Sequence, residues 1–195
     1  ALYYLASSSY TAGYVSTPKI PYYFEYTNPI ARTGYSHSIY VVFSADEILL
    51  CRAEAYIMKE DYSNALKDLN LWITNRMTTG VILTRDAIND YYTGLNTYIP
   101  EDATAKKPLH PEFTIASPEQ ENFLHCLLHI RRIETIHDGL RWFDVKRFGI
   151  VIYRRHLDAN ENVDIVLDSL PVDDPRRAIQ LPASTINAGL TPNPR

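Results

Sequence analysis

Two capped helical segments joined by a three-residue turn, in "SADEILLCRAEAYIMKEDYSNALKDLNLWITNR" (44–76), constrain this chain more than any other stretch. Ser44 stands three residues before Glu47, so hydroxyl and carboxylate can satisfy the free N–H groups of a helix start. Ile48, Leu49, Arg52, Ala55 and Tyr56 then recur at helical spacing, which predicts a helix over about 45–58. "KED" turns the chain, and Asp61 can cap a second helix whose Ala65, Leu66, Leu69, Trp72 and Ile73 share one apolar face to about residue 77.

The small residues Ala53 and Ala65, with Tyr56, Tyr62 and Leu69, resemble a tetratricopeptide unit, where short side chains let two helices approach closely. One such unit cannot bury its own face, so it needs further helices. "SPEQ" starts the next one, with Ser117 as cap, Pro118 at the first helical position and Gln120 closing a capping box; the expected end is His137 or beyond. Gly139 allows a bend, and "LRWFDVKRF" predicts a short helix stopped by Gly149. Between the helices, 78–116 is expected to be a long irregular excursion with one short helix near 85–92.

Both ends of the chain show strand signals. "YYFEYT" and "SIYVVF" in the Tyr-, Ser-, Thr- and Pro-rich residues 1–43 suggest brief extended pieces. "IVIYRRHL" and "VDIVLD", separated by "DANEN", predict a small C-terminal hairpin, followed by extended "AIQLP", a helical turn in "ASTINAG" and the tail "LTPNPR". The expected fold is therefore mainly α: a tetratricopeptide-like helix pair plus further helices, long irregular loops and a small C-terminal β-hairpin.

Of 195 residues, 46% are apolar and 22% charged, a composition that supports a packed core and is too apolar for disorder. A net charge of −4 argues against nucleic-acid binding driven by counterion release. No apolar run approaches the length of a membrane span. Cys51 and Cys126 share no metal-ligand spacing and are expected to be small buried hydrophobes. Tyrosine is abundant, 15 copies, and offers a flat apolar face with a hydroxyl, which suits polar ligands.

Four charges invite a catalytic reading. On an α-helix, at about 100° per residue, Arg131, Glu134, Asp138 and Arg141 share one face, provided Gly139 does not break the phase. A carboxylate pair can perform general acid/base chemistry, as in glycoside hydrolysis. Here each acid has an arginine one turn away, which would hold it ionised and spoil a general acid. Paired burial is favoured: a structural ion-pair cluster of Arg131, Glu134, Asp138, Arg141 and Asp144, with Glu54 as a further partner. Trp142 and Phe143 are expected in the core.

Other constellations carry less. His125 and His129 have the i, i+4 spacing of a zinc pair, but no glutamate follows His125 and no third ligand is clear, so they read as partly buried polar groups. Arg154, Arg155 and His156, with Arg176 and Arg177, are diluted by acids at 158, 161, 164, 168, 173 and 174. Nothing resembles a phosphate-cradling loop or a nucleophile elbow, and no metal or cofactor is implied. Tyr91, Tyr92, Asn96 and Tyr98, expected in an exposed loop, combine flat rings with a planar amide, as do Tyr22, Tyr23 and Tyr26 earlier.

Three ordered stretches carry a family resemblance: "FSADEILLCRAEAYIMKEDYSNALKDLN", "LLHIRRIETIHDGLRWFDVKRFG" and "IQLPASTINAGLTPNP". Together they resemble the C-terminal hallmarks of the SusD/RagB family of bacterial outer-membrane lipoproteins. Ala53, Glu54 and Ala55 match the first motif; Arg131, Arg132, Glu134, Gly139, Arg141, Trp142, Asp144, Arg147 and Gly149 match the second; Pro182 matches the third. Asp138 stands where the family usually has glutamate, and Phe148 where it usually has tryptophan.

The resemblance implies a non-enzymatic, surface-exposed protein that binds oligosaccharide and delivers it to a SusC-type TonB-dependent outer-membrane transporter. It implies a mostly α fold, a glycan ligand, no nucleic acid, and membrane association through an N-terminal lipid anchor outside this chain. Residues 1–195 are accordingly expected to form a single C-terminal domain or fragment, with N-terminal repeats and a lipobox cysteine lying beyond it. Glycan contacts vary within the family, so none transfers from the motifs. The competing reading is a helical-repeat interaction scaffold of a nutrient-uptake complex, with no direct glycan contact.

Overall fold

The structure is a computed structural model and describes residues 22–38, 41–77, 80–160 and 162–194, without the side chain of Tyr22. Two compact units divide the chain, one of residues 1–88 and 126–141, the other of 89–125 and 142–195.

In the first unit, strands β1 (Tyr22–Asn28) and β2 (Thr33–Ser38) pair antiparallel with Tyr23 opposite His37 and Glu25 opposite Tyr35. Asn28 Oδ1 accepts the Ile30 and Ala31 N–H groups at 3.0 Å each, which folds the connecting turn. The second expected extended piece does not form as drawn: β2 ends at Ser38, residues 39–40 lie outside the described residues, and Val41–Phe43 are exposed and irregular.

Helices α1 (Ala45–Met58) and α2 (Tyr62–Arg76) follow the sequence closely because their starts are local chemistry. Ser44 Oγ accepts the Glu47 N–H at 3.1 Å, and Asp61 Oδ1 accepts the Asn64 N–H at 3.2 Å. The helices run antiparallel, since Arg52 reaches Asp68 while Arg76 reaches Asp46. Leu50, Ala53 and Ile57 of α1, and Ala65, Leu69, Trp72 and Ile73 of α2, are buried, with the two alanines fully enclosed. Asn70 ties the chain beyond α2 to it, its amide donating to the Leu83 carbonyl and accepting the Leu83 N–H.

Residues 80–116, the described part of the expected excursion, are more ordered than expected. Helix α3 (Arg85–Gly94) occupies ten of them, and Thr97 and Lys106 form an isolated parallel bridge further on. Helix α4 (Pro118–Glu134) starts at its predicted cap: Ser117 Oγ accepts the Gln120 N–H at 3.1 Å, while Gln120 Oε1 reaches one residue further back than a capping box and accepts the Ala116 N–H at 2.7 Å.

The end of α4 departs from expectation. It stops at Glu134, where both the N–H and the hydroxyl of Thr135 donate to the Arg131 carbonyl at 2.8 Å. His137 then takes φ +67° and Gly139 φ +75°, left-handed conformations that no continuous right-handed helix contains. The phase that would have carried Asp138 and Arg141 on the face of Arg131 and Glu134 is therefore lost.

In the second unit, the short helix α5 (Arg141–Arg147) ends at Gly149, φ +57°, with the Ile150 N–H returning to the Val145 carbonyl at 3.0 Å. Gly149 also meets a neighbour: a Cβ there would lie 2.0 Å from the His110 carbonyl oxygen, and the His110 N–H donates to the Phe148 carbonyl at 2.9 Å. Strands β3 (Ile152–Leu157) and β4 (Val163–Leu170) form the expected antiparallel hairpin, with Asp158 accepting the Asn160 and Asn162 N–H groups in its turn. A 3₁₀ turn (Pro175–Arg177) and the short helix α6 (Ala183–Asn187) complete the unit.

Candidate functional site

The charged residues singled out from sequence differ in burial. Arg131 and Asp144 are buried, Glu134 and Arg141 half-buried, and Asp138 exposed. Arg131 donates to the Cys51 sulfur at 3.8 Å. Glu134 accepts the indole N–H of Trp72 at 2.9 Å and lies 3.5 Å from the Arg76 guanidinium. These contacts engage the Glu134 carboxylate in the packing of α4 against α2. Sequence spacing along α4 could not show this, because Trp72 and Arg76 sit on α2.

Trp142 is half-buried, but Phe143 is 66% exposed, against the expectation that both pack in the core. The helix geometry of α5 explains it: Asp144, Val145 and Phe148 fall within an arc of about 100°, and Phe143 projects from the opposite side.

The four residues expected in an exposed ligand loop divide into two pairs. Tyr91 lies on α3, 42% exposed, and Asn96 beyond its end is also exposed. Tyr92 and Tyr98 are 3% and 7% exposed, so neither presents an open ring face. Tyr92 stacks on His125 at 5.8 Å and meets Tyr91 edge-on at 4.9 Å. Tyr98 stacks on Tyr153 at 5.9 Å, with the Lys107 ammonium 3.5 Å and the Arg155 guanidinium 4.5 Å from its ring centroid. The helical signal was present in the spacing: Ile88 and Tyr92, four residues apart, are the two buried positions of α3.

His125 is a buried polar residue, as expected, with its Nε2 3.5 Å from a Glu121 carboxylate oxygen. Burial pulls its pKa down to about 4, opposed by the Glu121 carboxylate and assisted by the Lys106 charge. Cys126 is buried, and burial pushes its thiol up to about 12, which makes it unreactive. Cys51 is exposed, contrary to the expectation of a buried thiol. Among the described residues no group of three or more His, Cys, Asp or Glu side chains could hold a metal ion, and no helix is long and apolar enough to cross a membrane.

The dispersed basic residues do not gather into a patch. Arg155 donates to the Ile99 and Pro100 carbonyls. Arg176 pairs with Asp168 and Asp174, at 2.6 and 2.7 Å, and both acids are held below the usual carboxylate range by its hydrogen bonds. Arg177 is buried and donates to the carbonyls of Pro171, Val145, Ile150 and Leu170, joining α5, the segment after it and the end of β4. Sequence reading placed Arg177 among surface charges and missed this role.

Exposed aromatic side chains concentrate on the β1–β2 hairpin. Tyr23, Phe24, Tyr26 and Tyr35 are 40% to 54% exposed, and His37 is exposed beside them. The sequence signal was a run of tyrosines in alternating segments, although Phe24, Tyr35 and His37 were not singled out.

No curated protein and no solved structure matches the chain. The SusD family model does, over residues 3–180, a span that includes both hairpins, the α1–α2 pair and the "GLRWFDVKRFG" segment. The agreement extends over far more than half of the sequence, and the protein belongs to the SusD family.

Proposed function

We propose that this protein binds oligosaccharide or polysaccharide at the bacterial cell surface without altering it, and delivers it to a SusC-type TonB-dependent transporter of the outer membrane. The observation that carries the reading is the family match over residues 3–180. The family is associated with glycan binding in nutrient uptake and is generally non-catalytic. The site chemistry supports it: Glu134 is engaged by Trp72 and Arg76, while hydroxyl-bearing rings are displayed on the surface.

In this reading α1 and α2 serve as a tetratricopeptide-like support, and a lipid anchor holds the protein at the outer membrane. The charges of Arg131, Glu134, Asp138, Arg141 and Asp144 are structural rather than catalytic. Of the four residues expected to meet a ligand, Tyr91, Tyr92, Asn96 and Tyr98, the exposed Tyr91 and Asn96 are the ones open to it.

Pull-down of the protein from its native outer membrane, combined with affinity electrophoresis in polysaccharide-containing gels, tests the proposal. Retardation by a polysaccharide and co-purification of a transporter are expected. Migration unchanged in every gel, with a transporter still co-purifying, would replace glycan binding by a scaffold role.

A further inference from the structure

The β1–β2 hairpin has features that a purely structural element does not need. Every described side chain of its two strands is exposed, and a two-stranded hairpin is marginal in water without something to pack against. Its composition says what kind of surface it is. "YYFEYTN" and "TGYSHS" contain no aliphatic side chain; they display rings, hydroxyls, an imidazole and one carboxylate. Hydroxyl-bearing rings of this kind serve protein interfaces as well as sugar sites, and the glycan-binding reading of the protein favours the sugar.

Strand alternation sorts the rings onto two faces. One face carries Phe24 and Tyr26, packed edge-to-face at 4.9 Å, opposite Ser36 and Gly34. Phe24 lies across the glycine: a Cβ built on Gly34 would come within 2.9 Å of its Cε1. The glycine is required first by the backbone, since the same Cβ would lie 2.0 Å from the Glu25 carbonyl oxygen, and the Phe24 ring rests beside it with Tyr26 as its neighbour. The other face carries Tyr23, His37 and Tyr35, with centroid spacings of 6.0 and 6.4 Å, and Glu25 3.9 Å from His37. Rings beside hydroxyls and a carboxylate are what a sugar requires, its C–H face against an aromatic and its hydroxyls against planar acceptors and donors.

We infer that the β1–β2 hairpin is a saccharide-binding surface, with Phe24 and Tyr26 forming the stacking face and Tyr23, Tyr35, His37 and Glu25 a second, more polar one. This inference rests on the glycan-binding reading and assigns it to residues other than Tyr91 and Asn96.

The test uses affinity electrophoresis of the protein in gels containing soluble starch, xylan, galactomannan or pectin. The Phe24→Leu/Tyr26→Leu and Tyr23→Leu/Tyr35→Leu variants keep strand-compatible apolar side chains but remove the rings, and far-UV circular dichroism checks that the helices are retained. Tyr26→Phe keeps its ring. For a polysaccharide that retards the unaltered protein, the leucine variants should lose about tenfold or more in affinity, and Tyr26→Phe should stay within about threefold. Leucine variants that bind like the unaltered protein would overturn the hairpin assignment while leaving glycan binding intact. Loss of binding in Tyr26→Phe as severe as in the leucine variants would overturn stacking as the mode of recognition. No retardation of the unaltered protein in any of the gels would contradict both the hairpin assignment and the reading beneath it.

Discussion

Trp72 donates its indole N–H to Glu134 at 2.9 Å, joining the buried face of α2 to the last residue of α4. Glu134 belongs to the family's charged motif, and Trp72 is almost fully enclosed. The pairing makes the motif glutamate a half-buried acceptor in the helix packing. It also accounts for the presence of a carboxylate at the end of an apolar helix face.

Trp72→Phe keeps most of the apolar volume and removes the donor. It should cost about 1–3 kcal/mol in denaturant unfolding, because the carboxylate loses a partner in a site poor in water. Glu134→Gln retains an acceptor and should cost less than Trp72→Phe. Equal stability of Trp72→Phe and the unaltered protein would show that the hydrogen bond contributes nothing.

Arg177 supports a stronger prediction. Its guanidinium donates to four backbone carbonyls from three separate segments, so Arg177→Met would leave several acceptors without that donor. A loss of at least about 3 kcal/mol is expected, whereas Arg154→Met, at an exposed position of β3, should change stability by less than about 0.5 kcal/mol. Comparable urea midpoints for the two variants would contradict the assigned role of Arg177.

These two residues show where sequence reading reaches its limit. Helix starts were legible because Ser44, Asp61 and Ser117 act on N–H groups within three residues. The C-terminal hairpin was legible from two apolar runs around "DANEN". The end of α4 was not, since nothing local announces that His137 adopts a left-handed conformation before Gly139. Partners across long separations, Trp72 with Glu134 and Arg177 with Val145, depend on tertiary packing and leave no spacing to detect. Tyr92 is a different case: its spacing from Ile88 carried the helical signal, and treating the segment as a loop concealed it.

His125 predicts an acid dependence of stability. Its folded pKa is about 4, below the value of about 6.5 for an unfolded histidine, so the unfolded chain binds the extra proton first. The contribution of neutral, buried His125 is complete above about pH 6.5 and is lost as the pH falls toward 4, by up to about 3 kcal/mol. His125→Gln should flatten the fall in stability between about pH 6.5 and 4 relative to the unaltered protein. An unchanged slope in urea titrations across that range would show that His125 is not the group responsible.

The central claim is that this SusD-family protein holds a glycan without chemical change. Isothermal titration with oligosaccharides prepared from the polysaccharide that retards it most, followed by chromatography of the recovered ligand, tests that claim most directly. Saturable binding with the oligosaccharide recovered intact is the predicted result. Absence of binding heat together with absence of competition against the parent polysaccharide, or recovery of shortened products, would contradict it.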